Sequence, residues 1–207
     1  MTAADRALFE RNAVEVAPLM LGALLTRDSA EGSVTLRITE VEAYLGVGED
    51  PGSHSFRGLT ARNAVMFEAP LHLYTYFTYG MHVCANIVCS PSGEASAVLL
   101  RAGEIVHGVE LARQRRGLAV SDRDLARGPA RLTRAMGIPL ADGGADLEAD
   151  PYSLELATRP GRIETSVRTG VSGAGGSAQY PWRFFIAGDP TVSPYRASVP
   201  RTRSPKA

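Results

Sequence analysis

Two acidic residues and a tyrosine close an alternating apolar segment of this sequence. The segment VTLRITEVEAYL, residues 34–45, alternates in hydrophobicity and predicts a β-strand. Even-numbered positions of a strand share one face, which would run from apolar residues to Glu40, Glu42 and Tyr44. Two interpretations are open. The carboxylates lie at a solvated strand end, or one lies in a pocket where it can serve as a general base.

A second group of residues that could take part in binding or catalysis is aromatic. The stretch LYTYFTYGMHVCANI contains Tyr74, Tyr76 and Tyr79, three of the seven tyrosines of the chain, and predicts a β-hairpin. With a three-residue turn, Tyr74 would lie opposite Asn86, Tyr76 would lie opposite Cys84, and Tyr79 would occupy the tip. Packing within the sheet is one interpretation of these rings. The other is stacking on a planar ligand, such as a nucleobase.

The composition excludes several kinds of site. All but one of the 22 basic residues are arginine, and the single lysine is Lys206. A mechanism that needs a Schiff base to a buried lysine is therefore excluded. The four histidines and two cysteines lack the tight spacing of metal ligands, so we expect no metal site and no cofactor. The net charge is zero, but seven arginines crowd residues 113–134, as solvated helix faces or as phosphate contacts.

The secondary structure predicted around these residues contains both helices and strands. Helices are predicted over residues 4–12, 17–25, 104–116 and 122–136, with a break at Gly128-Pro129. Strands are predicted over residues 34–45, 73–77, 81–88, 97–101 and 182–187, with mostly loop over residues 50–64 and 137–160. The pattern indicates an α+β fold: a single domain with a mainly antiparallel curved β-sheet, surrounding helices and a protruding β-hairpin.

The domain is predicted to span residues 1–195, with a basic, disordered tail over residues 196–207. No segment has the length and hydrophobicity of a membrane span, and the first 27 residues do not have the pattern of a signal peptide.

Six segments between residues 38 and 190 carry a family resemblance, which runs in all over about residues 19–192. They read ITEVEAYLG, HSFRGLTARN, LYTYFTYGMHVCANI, AVLLRA, GPARLTRAMGI and PWRFFIAGDP. Together they closely resemble the alkyladenine (3-methyladenine) DNA glycosylase family. A set of motifs in family order over most of the chain is far more specific than any single short motif.

The resemblance implies a role for each matching residue. Glu42 matches the general base that activates the attacking water, and Arg101 matches a polar residue beside the reacting sugar. Tyr79 matches the side chain that inserts into the duplex, and Asn86 matches the residue that rejects guanine. The other matches are the base-binding residues Tyr44, His54 and Tyr76 and the DNA-binding pair Arg62 and Asn63.

The residues and the resemblance together predict a monofunctional DNA glycosylase of base excision repair. It would flip an alkylated or deaminated purine out of duplex DNA and hydrolyse the N-glycosidic bond, leaving an abasic site. Without a lysine amine it would not cut the strand.

The expected partner is double-stranded DNA that contains damaged purines, with no membrane involved. The expected state is an intracellular monomer, cytoplasmic at the nucleoid if the source is a bacterium. Two alternatives stay open: a non-catalytic lesion-binding protein, and a nucleoside hydrolase that acts on small molecules.

Overall fold

A computed structural model describes residues 2–78, 80–159 and 161–198 of the chain. The strands of these residues are β1 (Thr2–Ala3), β2 (Leu24–Arg27), β3 (Val34–Tyr44), β4 (Leu73–Thr78), β5 (His82–Cys89), β6 (Ser96–His107), β7 (Ala126–Arg127), β8 (Tyr152–Leu156), β9 (Ile163–Ser166) and β10 (Arg183–Ile186). The helices are α1 (Arg6–Phe9), α2 (Ala13–Met20), α3 (Val109–Arg116) and α4 (Pro129–Met136). Short 3₁₀ helices cover Ala64–Phe67, Asp122–Asp124, Leu140–Asp142 and Gly173–Gly176.

The strands form one antiparallel sheet in the order β1-β8-β2-β3-β6-β5-β4. Strand β10 pairs with the end of β3 and with β9, and β7 pairs with β6. The predicted α+β fold is confirmed. The predicted domain and tail boundaries stay predictions, because residues 199–207 lie outside the described part of the chain.

Two helices cover the core face of the sheet, and their ends follow from their sequences. Helix α2 begins after Asn12, whose side-chain oxygen accepts hydrogen bonds from the backbone N–H groups of Val14 and Glu15. Helix α4 begins with Pro129, whose fixed φ suits a first turn, and ends at Gly137 with a φ of 72°. Val16 and Met20 of α2 and Leu132, Ala135 and Met136 of α4 are buried in the main core.

Paired bulges in β3 and β6 exchange the faces of both strands. The register passes from Ile38 to Glu40 and from Leu100 to Ala102, leaving Thr39 and Arg101 without partners across the ladder. Such extra residues re-aim the side chains around them. The core residues of β3 are Val34, Leu36 and Ile38 before the bulge and Val41 and Ala43 after it.

The prediction that the even-numbered residues of β3 share one face is therefore wrong. After the bulge, Glu40 and Glu42 lie on the face opposite to the apolar residues that precede them. The two carboxylates are nevertheless fully buried, because that face of the sheet is covered as well.

Other differences arise where tertiary packing overrides local preference. The predicted helix 17–25 ends at Met20, and Leu24 already belongs to β2. The predicted helix 104–116 starts only at Val109, because β6 continues to His107 and Gly108 turns the chain at a φ of 73°. The predicted loop 137–160 contains β8, which pairs with both β1 and β2.

The predicted hairpin pairing is confirmed, since Tyr74 faces Asn86 and Tyr76 faces Cys84. Met81, just before β5, is 72% exposed although it is apolar. Among the described residues, no helix has the length and hydrophobicity needed to span a bilayer.

Candidate active site

A cavity of about 570 Å³ lies on the side of the sheet that carries the two buried glutamates. The end of β3 and the hairpin β4–β5 line it, together with residues 51–54, the start of α4 and residues 169–172. Six of the nine predicted site residues line this cavity: Glu42, Tyr44, His54, Tyr76, Asn86 and Arg101. The predicted intercalating residue, Tyr79, lies outside the described residues.

Glu42 is held in the wall of the cavity by two hydrogen bonds and an ion pair. The Tyr44 hydroxyl donates to its Oε2 at 2.8 Å, and the backbone N–H of Thr169 donates to its Oε1 at 2.7 Å. The Arg101 guanidinium lies 3.3 Å from the same Oε1. Because Glu42 is fully buried, the interpretation as a solvated strand end is wrong. A carboxylate that is fixed at a cavity wall can serve as a general base towards a bound water.

Arg101 connects Glu42 to a second buried carboxylate. Its Nε donates to Glu40 at 2.8 Å, and Glu40 also accepts hydrogen bonds from the Arg183 Nε at 2.7 Å and from the Ser193 backbone N–H at 2.6 Å. Burial alone would raise the pKa of the Glu40 carboxyl, but Arg101 and Arg183 outweigh it and hold that pKa below its ordinary value. Glu40 therefore stays an anion that orients Arg101.

Aromatic rings form two further walls. The His54 and Tyr76 rings meet edge to face with centroids 4.6 Å apart, and Nδ1 of His54 lies 3.0 Å from the Tyr74 hydroxyl. Burial, with a smaller contribution from Arg62, lowers the pKa of the His54 imidazole. A neutral imidazole does not repel a positively charged ligand, and the ring faces attract one.

Tyr44 supplies the wall nearest to Glu42. Burial and the Glu42 carboxylate raise the pKa of its hydroxyl well above the ordinary value, so the hydroxyl stays protonated and donates a hydrogen bond to Glu42. The Arg168 guanidinium lies 4.4 Å from the centre of the Tyr44 ring. One face of that ring is thus covered by protein, and the other face is left to line the cavity.

Asn86 lies at the bottom of the hairpin wall with 4% of its surface exposed. Its Nδ2 donates to the backbone carbonyl of Tyr74 at 3.0 Å, across the pair of strands. The hydrogen bond fixes the plane of the amide, so Asn86 presents a rigid shape to any ligand in the cavity.

The predicted pair Arg62 and Asn63 does not line this cavity. Arg62 lies beside the outer side of the Tyr76 wall and donates to the Phe77 carbonyl at 3.3 Å. Asn63 is 1% exposed, and its Nδ2 donates to the carbonyls of His54 and Gly58, both at 3.0 Å. In this arrangement Asn63 braces the loop that carries His54. The DNA contacts predicted for the pair stay predictions.

Three residues of the site were missed from the sequence. Asp50 and Arg168 form a buried ion pair behind the Tyr44 ring, and Thr169 supplies the backbone donor to Glu42. The Asp50-Pro51-Gly52 sequence indicates a turn that an aspartate could cap. Arg168 has no comparable local signal, because its partner lies 118 positions earlier in the chain.

The crowded arginines divide into two groups. Arg113, Arg115, Arg123 and Arg127 each contact a carboxylate. Arg116, Arg131 and Arg134 have no acidic partner among the described residues, and we call these three the basic cluster. Burial lowers the pKa of Arg116, and the charges of Arg131 and Arg134 lower it further, which indicates that the three lie close together. Arg131 also lines the cavity, so the cluster reaches its mouth.

Comparison with known proteins shows the family of the chain. The family model described as Methylpurine-DNA glycosylase matches residues 7–190. A relative from Leifsonia xyli subsp. xyli is 61% identical over 195 residues, which is 92% of each chain. A relative from Streptomyces avermitilis is 54% identical over 207 residues, which is 98% of this chain and 96% of its own. Both carry the name "Putative 3-methyladenine DNA glycosylase". The chain belongs to the methylpurine-DNA glycosylase family.

Proposed function

We propose that the protein is a monofunctional DNA glycosylase that flips alkylated or deaminated purines out of duplex DNA and hydrolyses their N-glycosidic bond. The observation that carries the proposal is the position of Glu42: a fully buried carboxylate, held by two hydrogen bonds and an ion pair, in the wall of a cavity with aromatic sides. Family membership supports DNA as the substrate. An enzyme that acts on a base in a duplex must first extrude it, and a cavity of this size can receive it.

The flipped base would stack against the rings of Tyr44, Tyr76 and His54. Purines alkylated at a ring nitrogen carry a positive charge, and a desolvated aromatic face attracts a cation by about 2 kcal/mol. His54 adds no opposing charge, because its lowered pKa favours the neutral ring. The walls therefore favour cationic purines over ordinary ones, and the positive charge also makes the base a good leaving group.

Glu42 would then act on a water beside C1′ of the flipped nucleotide. The bond between C1′ and the base nitrogen breaks with its electron pair going to the base, and the sugar gains oxocarbenium character. The water oxygen forms the new bond to C1′ while Glu42 accepts the water proton. Arg101, 3.3 Å from the Glu42 carboxylate, orients Glu42 before the reaction.

The test is a single-turnover assay of the wild-type protein on duplex DNA with one hypoxanthine or ethenoadenine, and on methylated DNA. Samples are analysed with and without alkali, which cleaves abasic sites. We expect base release and strand cleavage that depends on alkali, because the chain has no lysine except Lys206. Cleavage without alkali would contradict the monofunctional mechanism. Activity on free nucleosides but not on DNA would favour the nucleoside hydrolase, and binding without base release would favour the lesion-binding protein.

Asn86 is proposed to screen the exocyclic groups of the base. We expect Asn86→Ala to raise the rate on 7-methylguanine relative to hypoxanthine by about 10-fold, since one misfit group in a pocket costs roughly 1–3 kcal/mol. Both rates are measured on the same protein, so a general loss of stability cancels in their ratio. An unchanged ratio would remove Asn86 as the screening residue.

The basic cluster is proposed to contact the DNA backbone beside the flipped nucleotide. The slope of log affinity against log salt is negative, and each lost phosphate contact makes it shallower by about 0.9. We expect this change for Arg131→Gln and for Arg134→Gln in binding assays across a salt series. Arg113→Gln is the matched control, because Arg113 lies in the same region but is paired with Glu110 and Asp122. Equal slopes for all three variants and the wild type would place the backbone contacts elsewhere.

Three finer points belong to the same proposal. Tyr79 follows β4 in sequence, and we propose that its ring fills the space left by the flipped base. We propose that the protein searches DNA as a monomer. Its substrate places it inside the cell with the DNA.

A further inference from the structure

A buried ion pair lies directly behind the wall formed by Tyr44. Arg168 is 1% exposed and Asp50 has no exposed surface. The two side chains form a bidentate pair, with Nη1 of Arg168 2.6 Å from Oδ2 of Asp50 and Nη2 2.7 Å from Oδ1. A buried pair of this kind is weak grounds for stability, because desolvating two charges offsets most of their attraction. Its position relative to the cavity points to another role.

Asp50 fixes the segment that carries His54. Its carboxylate accepts hydrogen bonds from the backbone N–H of Leu45 at 3.2 Å and of Gly52 at 2.9 Å. Leu45 directly follows Tyr44, and Gly52 precedes His54 by two positions. One carboxylate therefore ties the end of β3 to the turn that delivers the imidazole to the cavity.

Arg168 fixes the other side of the site. It donates to the carbonyl of Ala43 at 2.9 Å and to that of Gly175 at 2.7 Å, while its guanidinium covers the Tyr44 ring. The residue after it, Thr169, donates its backbone N–H to Glu42. A shift of Arg168 would therefore move a donor of Glu42.

The two loops are packed so closely that they require glycine. A Cβ atom on Gly52 would lie 2.6 Å from Nη2 of Arg168, and one on Gly175 would collide with the backbone of Gly52. Gly52 and Gly175 are thus needed for space between the loops. The contact allows little independent movement of residues 50–54 and 168–176.

We propose that Arg168 and Asp50 are positioning residues that set Glu42, Tyr44 and His54 in one mutual geometry. The pair touches neither base nor sugar and acts through the backbone donor of Thr169, the ring of Tyr44 and the turn before His54. The inference rests on the proposed function, because it concerns the general base and the base-stacking walls of that reaction.

The test compares Arg168→Met, Asp50→Asn and Gly52→Ala with wild type in single-turnover kinetics. Gly52→Ala removes no charge and disturbs the pair only through its methyl group. At saturating enzyme we expect the rate constant to fall on the order of 10- to 100-fold for Arg168→Met, since misplacing reacting groups by about 1 Å costs that much. We expect the enzyme concentration that gives half the maximal rate to change much less, because the substitutions leave the basic cluster untouched.

Arg27→Met is the matched control. Arg27 also pairs with a carboxylate, Asp142, at 3.0 Å and lies over a tyrosine ring, that of Tyr152, but it does not line the cavity. We expect this variant to keep the wild-type rate constant. The fluorescence of Trp182, the single tryptophan, reports the folded state around Arg168, which lies 5.4 Å from its ring. It should change in Arg168→Met and not in Arg27→Met.

Amide hydrogen exchange at Thr169 supplies a readout that needs no enzymatic activity. We expect faster exchange of this amide in Arg168→Met and Asp50→Asn than in Arg27→Met, because its hydrogen bond to Glu42 loosens. Folded variants with the wild-type rate constant would overturn the inference, as would unchanged exchange at Thr169. An inactive wild type would instead refute the proposed function, and the exchange data would still decide whether the pair positions Glu42.

Discussion

Glu42→Gln is expected to lose base excision while the protein stays folded and still binds damaged DNA. Glutamine has nearly the same shape, and its oxygen can still accept the hydrogen bond from the Thr169 backbone. It cannot accept a proton from water at neutral pH. Removing a general base lowers a rate by about 10²- to 10⁴-fold. The measurement is the single-turnover rate on duplex DNA with one hypoxanthine, with affinity measured separately on the same duplex.

Glu104→Gln is the control for this substitution. Glu104 lies on β6 in the same sheet, but its side chain pairs with Arg37 at the surface. We expect its rate to equal that of wild type. If Glu42→Gln excised hypoxanthine as fast as wild type, Glu42 would not be the base. If it lost DNA binding together with activity, the carboxylate would serve the fold or the interface instead.

Much of the site could be predicted because its residues occupy neighbouring positions in short segments. Glu42 and Tyr44 lie two apart on one strand, and Tyr76 and Asn86 face the same cavity from one hairpin. The hairpin register followed from the length of its turn alone. These are local relations, which a sequence records directly.

The face of β3 could not be predicted, because two bulges at one level of the sheet decide it. Thr39 and Arg101 are the extra residues, and they lie on strands that are 62 positions apart. The apolar positions change phase between Ile38 and Val41, across two successive polar residues, but this single step does not reveal that β6 carries a matching bulge. The bulges matter for chemistry. Arg101, which has no partner across the strand ladder, lies between the carboxylates of Glu40 and Glu42.

Long-range pairing explains the other differences. The segment of β8 has an alternating pattern, but it is short and becomes a strand only because β1 and β2 lie on either side of it. Arg168 resembles any other arginine in sequence. Only the folded chain shows that it is buried against Asp50 and Tyr44. Buried ion pairs that hold a site in place, such as Arg168 with Asp50, are thus the feature that sequence patterns predict least well.

Arg101→Met is expected to cause a large loss of stability. Arg101 lies between two fully buried carboxylates, 2.8 Å from Glu40 and 3.3 Å from Glu42. Removing one partner from a buried ionic network costs roughly 3–5 kcal/mol, because the remaining charge stays in a medium of low polarity. Methionine fills similar space, so lost packing contributes less. The measurement is chemical denaturation at neutral pH, which also gives the slope that shows whether unfolding stays two-state.

The loss should depend on pH in a defined direction. In the wild type the folded-state pKa of Glu40 is lowered, so its contribution to stability is present above the ordinary glutamate value of 4.5 and is lost as pH falls through the lowered pKa. In Arg101→Met the buried Glu40 carboxylate keeps Arg183 but loses its other cation, and protonation of Glu40 relieves part of that cost. The difference in stability between variant and wild type should therefore be largest near pH 7 and shrink towards pH 3.

Arg37→Met is the control that separates a buried network from a surface pair. Arg37 lies on β3 as well, but it pairs with Glu104 and Asp189 at a partly exposed site, where ion pairs contribute about 1 kcal/mol or less. If the two variants lost equal stability, the Glu40–Arg101–Glu42 network would contribute no more to the free energy of unfolding than a surface ion pair does. If the deficit of Arg101→Met stayed constant from pH 7 to pH 3, lost packing rather than uncompensated charge would be its cause.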